Sequence, residues 1–280
     1  MPSNPNNIVI LYHAECNDGF GAAYAAWKKF AETAVYIPVY HDSPPPKKAF
    51  KAADLYILDY CYDEKTMNKL NLSVKNLKVL DHHISLASVI KKYGIFDNDH
   101  SGCVISWRYF HPDKPVPSLL TYIEDIDIWK KTIPYSDEIN SALSIYPMDF
   151  KVWNVLTAAE KIDALKAEGR VIIKYKNVLV KVAGRNAYPV NLNGVELLAS
   201  NVTSEITSEV GNYLSKKTKG SLTYYIRKNR VICSVHSDKE NKDALNCAEF
   251  ASKMGGGGHK HAAGFSLPLK DIWLVLRSKK

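Results

Sequence analysis

The sequence predicts an α/β chain: an N-terminal doubly wound, mostly parallel sheet, a helical connector, and a smaller α/β C-terminal domain. Three observations carry that expectation. Short apolar runs alternate with helical patterns through the first half, as βαβ units require. Asp- and His-rich stretches follow those apolar runs, where an open parallel sheet binds its ligands. Beyond Tyr188 strand-like segments crowd together. A length of 280 residues suits more than one core, and the expected boundaries are 1–150, 151–187 and 188–280.

The first strand is read from "NIVILY", ending at Tyr12, followed by the polar turn "HAECNDG". The alanine-rich "GAAYAAWKKF" has a helical apolar period. Val35 to Val39 forms a second strand, and "HDSPPPKKAF" is a loop, because three consecutive prolines fit neither a helix nor a central strand. "LYILD" (55–59) and "LKVLD" (77–81) are strands ending in Asp59 and Asp81, with "EKTMNKLNL" helical between them. Ser101 is placed to N-cap a helix through "GCVISWRYF", and "LLTYIEDIDIW" (119–129) is a further helix. Residues 151–183 are helix-rich. "VELLASN", "SLTYYIRKN" and "RVICSVHS" are strands, and "TSEVGNYLSKK" is a helix with Thr207 as its N-cap.

Composition narrows the function classes. Hydrophobic residues make up 46% and charged residues 24%, ordinary for a globular protein. No apolar stretch approaches a membrane span, and "MPSNPNNIVI" has neither a basic n-region nor a cleavage site, so the expected compartment is the cytoplasm. The five cysteines (16, 61, 103, 233, 247) show no C-x-x-C spacing and fit reduced thiols. Charge is divided unevenly: residues 1–140 carry 15 Lys+Arg against 17 Asp+Glu, residues 141–280 carry 22 against 12. An acidic half suits cations and a basic half suits an anion such as a nucleotide.

Three strand ends deliver polar groups to one edge: His13 through Asp18, then Asp59, then Asp81-His82-His83 in "VLDHHISL". Crowded carboxylates repel or protonate without a cation, and carboxylate with imidazole suits Mn²⁺, Mg²⁺, Zn²⁺ or Fe²⁺. A second signal is "GGGGHKHAAGF", from Gly255 to Phe265. Four glycines (Gly255, Gly256, Gly257, Gly258) cost backbone entropy, which a loop approaching a phosphate with bare N–H groups repays, with His259 donating to the same anion. His261 is expected at the surface.

Together, "HAECNDGFGAA", Asp59, Asp81-His82-His83, "YIEDIDIW" and "GGGGHKHAAGF" resemble, in order, the motifs of the DHH phosphoesterase superfamily. The resemblance is to members carrying the DHH-associated C-terminal domain, which include RecJ-type exonucleases and nano-RNases, and it runs from about Ile8 to about Leu267. It implies an α/β domain holding one or two divalent ions, typically Mn²⁺ with Mg²⁺ as an alternative, and a smaller domain gripping the nucleotide. Position by position, it makes His13, Asp18, Asp59 and His82 metal ligands, with Asp59 bridging. Asp81 orients the site, and His83 touches metal or phosphate. For the fourth motif Asp125 is the expected ligand; Asp127 would lie on another helical face, so one of the two should point at the metal.

Two positions depart from the family pattern. Cys16 stands where the first motif normally has Asp, so Glu15 substitutes, Cys16 binds as a thiolate, or one metal site is weak. In "SVHS", His236 stands where an arginine often meets substrate phosphate, with Ser237 and nearby lysines as compensation. The implied activity is hydrolysis of short oligonucleotides or dinucleotides to mononucleotides. The alternatives are a cyclic-dinucleotide phosphodiesterase, a nucleoside 3′,5′-bisphosphate phosphatase, and a degenerate nucleotide-binding module. No membrane partner is expected; a homodimer is compatible with the sequence, which leaves oligomeric state open.

Overall fold

A computed structural model describes residues 7–40 and 43–276. It divides into two units, Met1–Ile172 and Ile173–Lys280. The proline loop is described from Ser43 onward; His41 and Asp42 lie outside the described residues.

The first unit opens with β1 (Ile8–His13), α1 (Asn17–Phe30), β2 (Ala34–Val39), β3 (Asp54–Leu58), α2 (Glu64–Ser73), β4 (Asn76–Asp81), α3 (Ala87–Tyr93) and β5 (Gly94–Phe96). It continues as helices α4 (Gly102–Phe110), α5 (Ser118–Asp127), α6 (Ser136–Leu143), α7 (Phe150–Leu156) and the start of α8 (Ile162–Arg185). The strands pair in the order β2-β1-β3-β4-β5, all parallel. In this doubly wound order the chain reverses direction between β1 and β3, and that crevice is where such sheets bind ligands.

Alternation along the strands builds two cores. Ile10, Tyr12, Leu58 and Leu80 face α1, α4 and α5. Val9, Leu11, Leu55, Ile57 and Val79 face Met67, Leu70, Val89 and Ile90 from α2 and α3. Each fully buried aliphatic side chain stabilises the fold by about 1.5–3 kcal/mol. The alanines of α1 (Ala22, Ala23, Ala25, Ala26) are fully buried, and their small side chains let α4 approach closely. The polar turn after β1 is shorter than the sequence implies: Asn17, Asp18 and Gly19 already belong to α1. The helix-rich stretch after residue 150 begins as part of this unit, because Phe150 and Trp153 of α7 pack on Phe20 at ring separations of 4.9 and 4.8 Å.

The second unit contains β6 (Tyr188–Leu192), β7 (Val195–Asn201), α9 (Thr207–Ser215), β8 (Ser221–Arg227), β9 (Arg230–His236), α10 (Cys247–Lys253), β10 (Gly257–His259) and β11 (Ala262–Pro268). Its strands run β10-β11-β9-β8-β7-β6, with β7 and β8 parallel and the other pairs antiparallel. Leu222, Val231, Cys233, Phe250 and Phe265 lie in one core, and Val180 of α8 joins Val210 and Leu214 of α9 in another. Thr207 does not cap α9. It is the first helical residue, and its hydroxyl donates back to the carbonyls of Thr203 and Ser204. All five cysteines are free thiols, and no described helix is long and apolar enough to cross a membrane.

Candidate functional site

The C-terminal ends of β1, β3 and β4 bring the predicted polar groups together. His13 Nδ1 lies 3.4 Å from Asp59 Oδ2. His82 Nε2 lies 3.3 Å from Asp59 Oδ1, 3.4 Å from Asp127 Oδ2 and 3.9 Å from Asp18 Oδ2. Three overlapping groups place ligand atoms within 4.8 Å of one another: Asp59, Asp81, His82 and His83; His13, Cys16 and Asp59; Asp18, His82 and Asp127.

Local structure explains how each is held. Asp59 follows β3 with φ +52°, a left-handed conformation that costs an L-residue about 1–2 kcal/mol and that Asp tolerates better than most. Asp81 Oδ1 accepts from the backbone N–H groups of His82 and His83 at 2.7 and 3.2 Å, and sits 2.7 Å from His83 Nδ1. Asp81 thus fixes both imidazoles that follow it. Asp18 is held by the N-terminus of α4: Gly102 N–H donates to Oδ2 at 2.6 Å and Cys103 N–H to Oδ1 at 2.9 Å. The positive end of the helix dipole points at the same side chain. A Cβ at position 102 would come within 2.5 Å of Asp59 Cβ and 2.8 Å of Asp18 Oδ2, so glycine is what this approach requires. Ser101 occupies the cap position, but its side chain makes no capping bond; Asp18 does that work from another helix.

The fourth-motif expectation is corrected. Asp125 is buried and turned into its own loop, where Oδ1 accepts from Thr132 N–H (2.8 Å), Thr132 Oγ1 (3.0 Å) and Ile133 N–H (3.3 Å). Burial opposes its ionisation, but the bonds from Ser136, Thr132 and Ile133 outweigh that and hold its carboxyl below the usual range. Asp127 is the member of the pair that reaches Asp18 and His82. Of the two candidates for the departure in the first motif, Cys16 lies with His13 and Asp59, while Glu15, at φ +54°, accepts from the Tyr40 hydroxyl at 3.2 Å. The part played by the α4 N-terminus is carried in the sequence by "SGC" directly before an apolar helix.

The cluster is in electrostatic conflict. Burial, then the Asp18 and Asp81 carboxylates, push the Asp59 carboxyl well above its ordinary value. Burial, then Asp18, push Asp127 up to about 7. Burial, then Asp59 and Asp18, push the Cys16 thiol up. The bond to Asp81 raises His83 despite opposing burial. Asp59 Oδ1, Asp81 Oδ2 and Asp127 Oδ2 are buried and accept no hydrogen bond among the described residues. Buried carboxylate oxygens left in this state are costly unless a cation joins them.

The glycine-rich segment of the second unit has a different character. It is a hairpin, not an open loop: β10 pairs with β11 through Gly257–Gly264, Gly258–Ala263 and His259–Ala262. Gly255, at φ +75°, ends α10 in a Schellman motif, its N–H donating to Ser252 O and that of Gly256 to Ala251 O. Side chains at 256 and 258 would strike β11. Only Gly257 has neither constraint. His259 is exposed at the end of β10. His236 and Ser237, expected to meet substrate, are both buried. A Cβ at Gly211 of α9 would run into the His236 ring, whose Nδ1 has no partner among the described residues. Ser237 Oγ lies 3.1 Å from His261 Nδ1 and 3.5 Å from Cys247 Sγ, so His261 has a structural partner rather than a merely surface position.

No protein-family model matches the chain. An uncharacterized protein of Acanthamoeba polyphaga mimivirus is 28% identical over 284 residues, covering 92% of this chain and 67% of that protein. A pGpG-specific phosphodiesterase, PggH, from Vibrio cholerae superposes with a TM-score of 0.53 at 14% identity, covering 95% of this chain and 94% of its own. RecJ from Thermus thermophilus, in complex with Mn²⁺, gives a TM-score of 0.53 at 13% identity over 96% of this chain; the chain spans 50% of that RecJ chain. Over almost its whole length the chain has the fold of these PggH and RecJ structures.

Proposed function

We propose that the chain is a metal-dependent phosphodiesterase that hydrolyses short oligonucleotides or dinucleotides to mononucleotides. The observation that carries this reading is the conflict at the sheet edge: buried carboxylates and imidazoles converge, and three carboxylate oxygens accept no hydrogen bond. The fold, shared over almost the whole chain with a phosphodiesterase, supports it.

The donor set fits a divalent cation of the Mn²⁺ or Mg²⁺ kind. Asp18, Asp59, His82 and Asp127 would hold one ion; His13 and Asp59, with Cys16 nearby, would hold a second, weaker one. A bound ion polarises a phosphoryl oxygen and lowers the pKa of water. The chain's own groups do the rest. Asp81 Oδ1 accepts from His83 Nδ1–H, and the His83 side chain is 39% exposed. With its basicity raised by that bond, His83 donates from Nε2 to a phosphate oxygen as charge develops there. The two N–H groups at the α4 N-terminus hold the Asp18 carboxyl in place, so that the site is organised before substrate arrives.

The test is hydrolysis with Mn²⁺ of labelled RNA and DNA from two to about 24 nucleotides, together with pGpG, pApA, cyclic dinucleotides and a nucleoside 3′,5′-bisphosphate. An Asp81→Ala/His82→Ala protein runs alongside. Cleavage of the shortest linear substrates, lost in the double variant, is the expected result. Preference for a cyclic or bisphosphate substrate would replace the substrate assignment, and nucleotide binding without turnover would make the chain a binding module.

A further inference from the structure

A cavity of about 530 Å³ opens beside the cluster and has no part in the chemistry above. Its walls come from the segment joining β3 to α2, from the turn after β4, and from the proline loop: Tyr60, Tyr62, Asp63, Leu86, Ser43 and Pro45 among them. Tyr60 is the residue after Asp59, and its ring centroid lies 6.4 Å from that of His13, which sets the cavity beside the cluster. The volume is within the range of small-ligand pockets and ample for one planar heterocycle.

The lining states what the occupant is. Among the described residues that line it there is no Lys, Arg or His, and the one charged residue is Asp63, which disfavours a phosphate. Tyr60 and Tyr62 meet edge to face at 4.8 Å, and with proline they provide flat apolar faces. Asp63 caps α2, its oxygens accepting from Thr66 N–H and Thr66 Oγ1, and its exposed carboxylate has acceptor capacity for a further donor. Tyr62 has a buried hydroxyl without a partner among the described residues.

Resting on the phosphodiesterase reading for its phosphate, we propose that this cavity receives the nucleobase of the nucleotide whose phosphate lies at the cluster. Asp63 favours a base that presents N–H donors on its edge. Guanine, with two in parallel, is the best fit, and uracil, with one, is poorer.

The test separates this claim from hydrolysis by using neutral nucleosides. Binding of guanosine and uridine to the full chain is followed by saturation-transfer NMR, without added metal. Ser43→Trp fills the cavity from its rim, and Asp63→Asn preserves the helix cap while changing the edge chemistry; thermal melting confirms that both fold. Guanosine is expected to bind at least about fivefold more tightly than uridine, a difference near 1 kcal/mol. Ser43→Trp should abolish binding and Asp63→Asn should erase the preference. On a dinucleotide with Mn²⁺, Ser43→Trp should raise KM about tenfold or more. Guanosine binding unaffected by Ser43→Trp, or no nucleoside binding at all, would overturn the proposal even if the enzyme hydrolyses dinucleotides. Absence of hydrolysis with intact guanosine binding would instead overturn the activity and leave the pocket standing.

Discussion

The two units each gather polar residues, and they resolve the gathering in opposite ways. In the first, Asp59, Asp81 and Asp127 are buried with carboxylate oxygens that accept no hydrogen bond, and two of the three are pushed toward protonation. In the second, Ser237 and His261 bond to each other, and three of the four consecutive glycines answer to a helix cap or to close strand packing. The first cluster leaves three carboxylate oxygens without a hydrogen bond, which a cation would satisfy, whereas beside the second the described residues leave His236 Nδ1 alone without one. Converging unsatisfied carboxylates, more than residue type, are what separate a site from a scaffold here.

The comparison is sharpened most by Asp59→Asn. It should lower Mn²⁺ affinity at least about 100-fold, more than loss of an outer-shell partner usually costs, and abolish turnover. In metal-free buffer the same variant should melt higher than the unmodified chain, by about 1–3 kcal/mol of stability, because it removes a buried charge from its neighbours' repulsion. Calorimetry with and without Mn²⁺ checks both signs; a metal-free loss of stability would break the contrast.

Next is the pair Asp125 and Asp127. Asp125→Ala removes the acceptor that organises Thr132 and Ile133 and should cost about 2–4 kcal/mol, with Mn²⁺ still raising the melting temperature. Asp127→Asn should leave stability nearly unchanged and reduce the Mn²⁺ response. Denaturant melts with and without the ion distinguish them, and the reverse pattern would return Asp125 to the metal.

In the second unit, Gly255→Ala should cost about 1–2 kcal/mol through its left-handed backbone, whereas Gly257→Ala, which meets open space, should cost less than about 1. Equal costs in chemical denaturation would mean that the hairpin does not account for the glycines.

The smallest effect is a pH dependence away from both clusters. Buried His111 bonds to Ala25 O at 2.9 Å, and burial, helped by Lys114, Lys29 and Lys28, holds its basicity below the ordinary value near 6.5. Below pH 6.5 the unfolded chain therefore binds a proton that the folded chain resists. The stability from this group is complete above that pH and is lost as pH falls through the folded value. His111→Gln should flatten this part of the stability–pH curve.

The parallel sheet was legible because its strands are continuous apolar runs, "NIVILY", "LYILD" and "LKVLD", each closed by a polar residue. The residues of three strand ends were legible for the same reason. Asp127 was not separable from Asp125, since two residues on one helical turn are distinguished by what the following loop offers, and Thr132 and Ile133 claimed Asp125. The three-residue strands β5 and β10 carry no period long enough to read. The glycine run reads as a loop in the sequence because the register against β11 is a tertiary fact. His236 sits in a strand whose buried side is set by Gly211 of a helix that precedes it in the chain, and no local pattern encodes that.

The most direct test of the central claim is a Mn²⁺ titration of the metal-free chain, read from the electron paramagnetic resonance of the free ion and repeated with Asp59→Asn. Saturable binding of one or two ions, lost in the variant, is the predicted result. Equal binding by both proteins, or none by either, would contradict the assignment of the sheet edge as a metal centre.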